Sequence, residues 1–148
     1  LNVANKAAVE TEFERIMAID GAKSVMLQPM LSGRELFVGA KYESGYGHMI
    51  LCGLGGIFIE VLKDVAYGLS PLGSDEASSM IRSIKAYDLI KGVRGQEGVD
   101  EAKFADIIVR LSALLEAAPE IQELDLNPLL GTMKHVTAVD ARIRINKD

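Results

Sequence analysis

Near one end of this 148-residue sequence, polar and charged side chains fall at every second position. Glu123, Asp125 and Asn127 alternate with Leu124 and Leu126, and Asp140 and Arg142 follow in a second alternating run. Residues two apart on a strand share a face, so Glu123, Asp125 and Asn127 are expected to point together. Pro128 lacks a backbone N–H, which places it at a strand end or on an edge. Gly131-Thr132 can turn the chain, and on the return Ala138, Asp140, Arg142 and Arg144 share a face. If the two runs pair, Asn127 and Asp140 can approach across the sheet. A carboxylate and an amide oxygen, with waters, suit Mg²⁺, which is usually held by few protein groups plus substrate phosphates. Arg142 beside them could neutralise phosphate charge. The plain alternative is a solvated sheet face with Asp140–Arg cross-strand pairs.

A second constellation is GLGGIFIEVLKD, Gly53 to Asp64. Gly53, Gly55 and Gly56 let a backbone approach a ligand and can form an anion-binding nest. No Gly-Lys-Ser/Thr follows, so this is not a Walker loop, and no helical pattern follows at once, so it is a poor dinucleotide fingerprint. A tight hairpin turn explains the same glycines. Glu60, inside an apolar run, either pairs with a basic residue or faces a site. The third constellation, VMLQPMLSGREL, is a strand running into a loop at Gln28, Pro29 and Met30. Such a loop can offer backbone groups to a flat purine edge, with Gln28 reading an exocyclic amine, though it also reads as a plain strand end. Glu35 is either an exposed strand residue or a partner for Arg34. His48 and His135 have no zinc-ligand spacing. Cys52 reads as a small apolar filler. The run KGVRG is a basic loop in which Arg94 is either solvated or free to contact phosphate or a partner.

The elements that must position these residues follow from periodicity. Val9, Phe13, Ile16 and Met17 predict an amphipathic helix between Ala4 and Ile19, with glutamates outside. Ser24–Leu31 reads as a buried strand, and Arg34–Tyr42 and His48–Cys52 as two more. Short strands are expected in Ile57–Leu62 and Val65–Leu69. Ser74 reads as an N-cap with Asp75 and Glu76 in the first turn of a helix. Asp100 caps a long helix to Ala117 that Pro119 ends, and its stripe includes Phe104, Ile107, Ile108, Leu111, Leu114 and Leu115. No repeat or linker is visible. Short connections mixed with separate helices predict an α+β fold with a largely antiparallel sheet.

Bulk properties narrow the function classes. A hydrophobic content of 49% with 25% charged residues indicates a globular chain rather than a disordered one. The net charge of −5 and the absence of Trp offer neither a basic footprint nor a stacking platform for nucleic acid. One cysteine fits a reducing, cytoplasmic compartment. No apolar run reaches the ~18 residues of a membrane span. The sequence opens on Leu1 and enters a helical pattern almost at once, so a fragment of a longer polypeptide is expected.

Five segments together carry a resemblance. LQPMLSGRELFVGAKY, GLGGIFIEVLKDVAYGLSPL, LIKGVRG, ELDLNPLL and VTAVDARI occur in this order, between about Ala4 and Ile145. In this they resemble the ATP-grasp domain of ADP-forming acyl-CoA synthetases, which are acetate–CoA ligase-like and related to the succinyl-CoA synthetase β chain. The resemblance implies an adenine hinge at Gln28, Pro29 and Met30. It implies Mg²⁺ ligation by Asn127 and Asp140, with Asp125 where relatives carry a Glu and Arg142 near the phosphates. It implies that Gly55, Gly56 and Glu60 face the transferred phosphoryl group. In that family ATP phosphorylates a carrier histidine, which passes the phosphoryl on to give an acyl phosphate and then acyl-CoA. Neither His48 nor His135 matches the carrier position. The resemblance further implies that the chain is a C-terminal ATP-grasp subdomain. The first subdomain and the domains for CoA, the carboxylic acid and the carrier histidine then lie elsewhere, in cis or on a partner subunit. Alone, such a piece is expected to bind Mg-ATP poorly and to be inactive. Two rival readings are a regulatory nucleotide-binding module fused to a protein acetyltransferase, and a structural subunit that docks a catalytic partner.

Overall fold

The computed structural model describes residues 3–93 and 95–146. Arg94, singled out above, and the side chain of Glu60 lie outside the described residues. The chain divides into two compact units, Leu1–Leu31 and Ser32–Asp148.

The first unit holds helix α1, Lys6–Met17, capped by Asn5, whose Oδ1 accepts from the Ala8 N–H at 3.0 Å. None of its residues is buried. Its apolar stripe of Val9, Phe13 and Ile16 instead lines an open groove of about 300 Å³ with Val25, Leu27 and Gln28. Residues 22–32 form no regular element, so the expected strand Ser24–Leu31 is not made. A strand requires a backbone partner for its N–H and C=O groups, and no described strand pairs with this segment.

The second unit is built on a six-stranded sheet, entirely antiparallel, as the α+β expectation required. Its strands are β1 (Arg34–Glu43), β2 (Gly47–Leu54), β3 (Val65–Leu69), β4 (Ile121–Gly131), β5 (Val136–Ala138) and β6 (Ala141–Ile145). The order is β3-β2-β1-β4-β5, with β6 also on β4. One face is the core. Leu36, Val38, Ile50, Cys52 and Leu54 pack with Ile81 of helix α3 (Ser74–Ser83) and with Phe104, Ile108 and Leu115 of helix α5 (Glu101–Ala117). Each such burial stabilises the fold by about 1.5–3 kcal/mol. Burial also pushes the Cys52 thiol up to about 12, consistent with an apolar filler. His48, likewise buried, donates from Nε2 to the Ile121 carbonyl at 2.7 Å.

Asp100 caps α5 by accepting from the Lys103 N–H at 3.1 Å. At α3 the cap is Gly73 rather than Ser74, because the Glu76 carboxylate reaches back to the Gly73 N–H at 2.9 Å. Ile57–Leu62 is not a strand: Ile57–Glu60 forms a short helix, α2. The preceding strand β2 is paired with β1 and β3 and offers no open edge beside this segment. A second short helix, α4 (Tyr87–Lys91), spans too few residues to announce a period. Pro128 is neither at a strand end nor on an edge, but inside β4. Leu36 pairs with Leu129 and Val38 with Leu126, so Asn127 and Pro128 together oppose Phe37. This bulge interrupts the ladder where proline has no N–H to give.

Asp64, 5% exposed, closes the segment after α2 onto the α3–α4 connection. Its two oxygens accept from the Lys85 and Ala86 N–H groups at 2.9 and 2.8 Å. Asp64→Ala orphans both donors and is expected to cost about 3 kcal/mol in urea unfolding. A loss well under 1 kcal/mol would show that water replaces the carboxylate.

Candidate metal and nucleotide site

On β1, Leu36, Val38 and Ala40 enter the core, so Glu35, Phe37, Gly39 and Lys41 take the opposite face. Gly39 pairs with Asp125 of β4, and a Cβ at Gly39 would stand 3.7 Å from Asp125 Oδ1. The missing side chain leaves room for that carboxylate. Asp125 in turn pairs with Arg142 of β6, and Glu123 with Arg144. The acidic face read from the alternation therefore exists, and each of its two carboxylates stands opposite an arginine.

The register places the proposed metal ligands. Leu126 pairs with Ala141 and Leu129 with Ala138, and this register, continued across the break between β6 and β5, would set Asn127 opposite Asp140. Between them, the Val139 N–H donates to the Pro128 carbonyl at 3.0 Å. Asp140 lies in the gap between β5 and β6, its side chain about half exposed. Its Oδ1 accepts from the Ala141 N–H at 3.0 Å and its Oδ2 from Arg142 Nε at 3.3 Å. Burial pushes the Asp125 carboxyl above its ordinary range, against the pull of the Arg142 cation, and Asp140 adds to the rise. A second cation beside these carboxylates would be stabilised by the same charges.

The glycine loop sits at the same sheet face. Phe37 and Gly53 pair, and a Cβ at Gly53 would fall 2.7 Å from Phe37 Cε1. The Gly55 N–H donates to the Glu35 carbonyl at 2.9 Å. Gly56 precedes α2 with φ 60°, and a Cβ there would lie 3.1 Å from Glu35 Oε2. The turn is thus a built elbow against Glu35 rather than a hairpin tip. Glu35, left above between two minor roles, is the residue against which the glycine turn is built. Its alternation with Phe37, Gly39 and Lys41 was the signal for its sheet face. Gln28, Pro29 and Met30 belong to the first unit, where all three are exposed in the extended segment. Among the described residues no cluster of three or more His, Cys, Asp or Glu could hold a metal ion. Asn127 and Asp140 alone fit a hard cation that takes most of its oxygens from elsewhere, as Mg²⁺ does.

The chain is similar in sequence and fold to known proteins. A profile described as "ATP-grasp domain" matches residues 1–145. The chain is 40% identical over 140 residues to an ADP-forming 4-hydroxybutyrate–CoA ligase of Nitrosopumilus maritimus, covering 88% of this chain and 20% of that protein. It is 43% identical over 111 residues to the β subunit of ADP-forming acetate–CoA ligase I of Pyrococcus furiosus, covering 75% of this chain and 48% of that subunit. A solved structure of acetyl-coenzyme A synthetase 1 from Ca. Korarchaeum cryptofilum, in complex with coenzyme A and Mg-AMPPCP, superposes with a TM-score of 0.75. It is 38% identical, over 79% of this chain and 55% of that one. The chain belongs to the ATP-grasp domain family. It spans between about a fifth and a half of the length of these curated relatives.

Gly56→Ala places a side chain at a backbone conformation that L-residues rarely adopt and against the Glu35 carboxylate. The expected cost is about 1–3 kcal/mol in denaturant unfolding. An unchanged midpoint would mean that the elbow is free to rearrange.

Proposed function

We propose that this chain holds part of the Mg-ATP site of an ADP-forming acyl-CoA synthetase. The overall reaction is carboxylic acid + CoA + ATP to acyl-CoA + ADP + phosphate. The observation that carries the reading is the pairing of Leu126 with Ala141 and Leu129 with Ala138, which brackets Asn127 and Asp140, with Arg142 bonded to Asp140 and paired with Asp125. The related ligases and the Mg-AMPPCP complex support it. Those relatives also favour the ligase over a regulatory module of an acetyltransferase.

In this reading Asn127 and Asp140 hold Mg²⁺ through one amide and one carboxylate oxygen. When bound, the ion neutralises charge on the phosphates and aligns the transferred group. Asp140 is held ready by the Ala141 N–H and by Arg142, which fix both of its oxygens. Arg142, whose side chain is 82% exposed, is free to turn from Asp140 toward a phosphate oxygen. Gly55 and Gly56 allow a phosphoryl group to approach the backbone, and Glu60 belongs to the same segment. Gln28, Pro29 and Met30 supply the adenine hinge, as the resemblance implies. The chain serves as a C-terminal ATP-grasp subdomain. Partner domains or a partner subunit supply the CoA and acid sites and the carrier histidine. No helix among the described residues is long and apolar enough to cross a membrane. A cytoplasmic setting, where ATP and CoA are found, fits this reading.

Asp140→Asn in the complete enzyme tests the proposal. Phosphoryl transfer is expected to fall on the order of 100-fold or more, with the Mg²⁺ requirement moved to higher concentration. The circular dichroism spectrum should stay unchanged, because Asp140 lies outside the core. Wild-type rate and Mg²⁺ dependence would overturn the assignment.

A further inference from the structure

Strand β6 is an exposed edge. All five of its residues, Ala141–Ile145, are exposed, and β4 is its partner in the sheet. No core packing holds it in place, yet it begins directly after Asp140. Its sequence, Ala-Arg-Ile-Arg-Ile, repeats every two residues. A slip of one residue turns the arginines to the other face. A slip of two keeps the faces and places one arginine where the other stood. Face alternation within β6 does not by itself choose among these registers; the backbone bonds of Val139 to Pro128 and of Asn146 to Glu120 hold the chain on either side of the strand.

Side-chain pairs across β4 add to these bonds. Arg144 Nη2 donates to Glu123 Oε1 at 2.7 Å, the shorter of the two arginine contacts on this face. Lys41 also stands opposite Glu123, on β1, but its Nζ is 2.8 Å from Glu43 Oε1. Glu123 is thus left to Arg144. Only in the observed register do Glu123 and Asp125 both face an arginine.

We infer that Glu123 and Arg144 are positioning residues: their ion pair pins β6 to β4 so that Asp140 stays opposite Asn127. This deepens the metal reading given above and rests on it. Neither residue touches the cation; both act through the register of the strand that follows Asp140.

The test is Mn²⁺ binding to the complete polypeptide, with free Mn²⁺ followed by electron paramagnetic resonance. Through-space electrostatics and pinning predict opposite signs for Arg144→Gln. Loss of a positive charge near the site should tighten cation binding if only the field matters. Pinning predicts weaker binding, with Kd raised about two- to five-fold, the range set by the worth of an exposed pair. Glu123→Gln should show a similar loss, and the double variant should lose no more than either single. Arg144→Lys, which keeps charge and reach, should stay near wild type. Unchanged or tighter Mn²⁺ binding in Arg144→Gln, or additive losses in the double variant, would overturn the inference. Asp140→Asn separates the two levels. If it binds Mn²⁺ as wild type does, the metal reading itself fails. If it loses Mn²⁺ while Arg144→Gln does not, only the pin fails.

Discussion

The hydrogen-bonded ladder on both edges of β4 is the constraint on which the rest of the second unit depends. One edge is taken by β1 and the other is divided between β6 and β5. A strand bonded along both edges cannot shift without breaking two ladders. This rigidity fixes Asp125 and Asn127 to the scaffold. It also makes the bulge at Asn127–Pro128 tolerable, because the pairing resumes on either side of it. The bulge changes which residues are buried: Leu124 enters the core before it and Leu129 after it, five positions apart rather than four or six. One extra residue thus re-aims the end of the strand while preserving its apolar contacts.

The sheet has two chemically different faces. Behind it, helices α3 and α5 cover a continuous apolar layer. In front, glycines at positions 39, 53, 55 and 56 keep the surface low, and the charged residues gather on β4 and β6. Low relief on one side and paired charge on the other suit a polyanionic ligand with its cation. Burial already raises the pKa of Asp125. The Arg142 cation opposes that rise and the Asp140 carboxylate adds to it.

The outline of the second unit was legible in the sequence. The strands in residues 34–43, 47–54 and 65–69 alternate, and the α5 stripe repeats at helical spacing; such local periods survive folding because each reports burial on one face. The errors share a cause. Ser24–Leu31 is apolar, as a buried strand would be, but no described strand pairs with it. Ile57–Leu62 is β-branched and apolar, yet β2 before it is paired with β1 and β3 and offers it no open edge. The missing N–H of Pro128 points to a strand end or an edge, but a bulge accommodates it inside β4. In each case the deciding fact was the availability of a partner distant in sequence.

For the candidate site the division is similar. The sequence by itself determined the donor set: an amide at 127, carboxylates at 123, 125 and 140, and arginines at 142 and 144, spaced so that pairing could bring them together. It also determined the family, through segments whose order is independent of geometry. Only the tertiary structure decided that β5 and β6 flank Asn127 on β4, that Arg142 bonds Asp140 and pairs with Asp125, and that Glu35 stands against Gly56. Strand alternation fixes which residues share a face, but it is silent about which strand lies alongside and in what register. The register here follows from hydrogen bonds and ion pairs between segments far apart in the chain, and no local pattern encodes those.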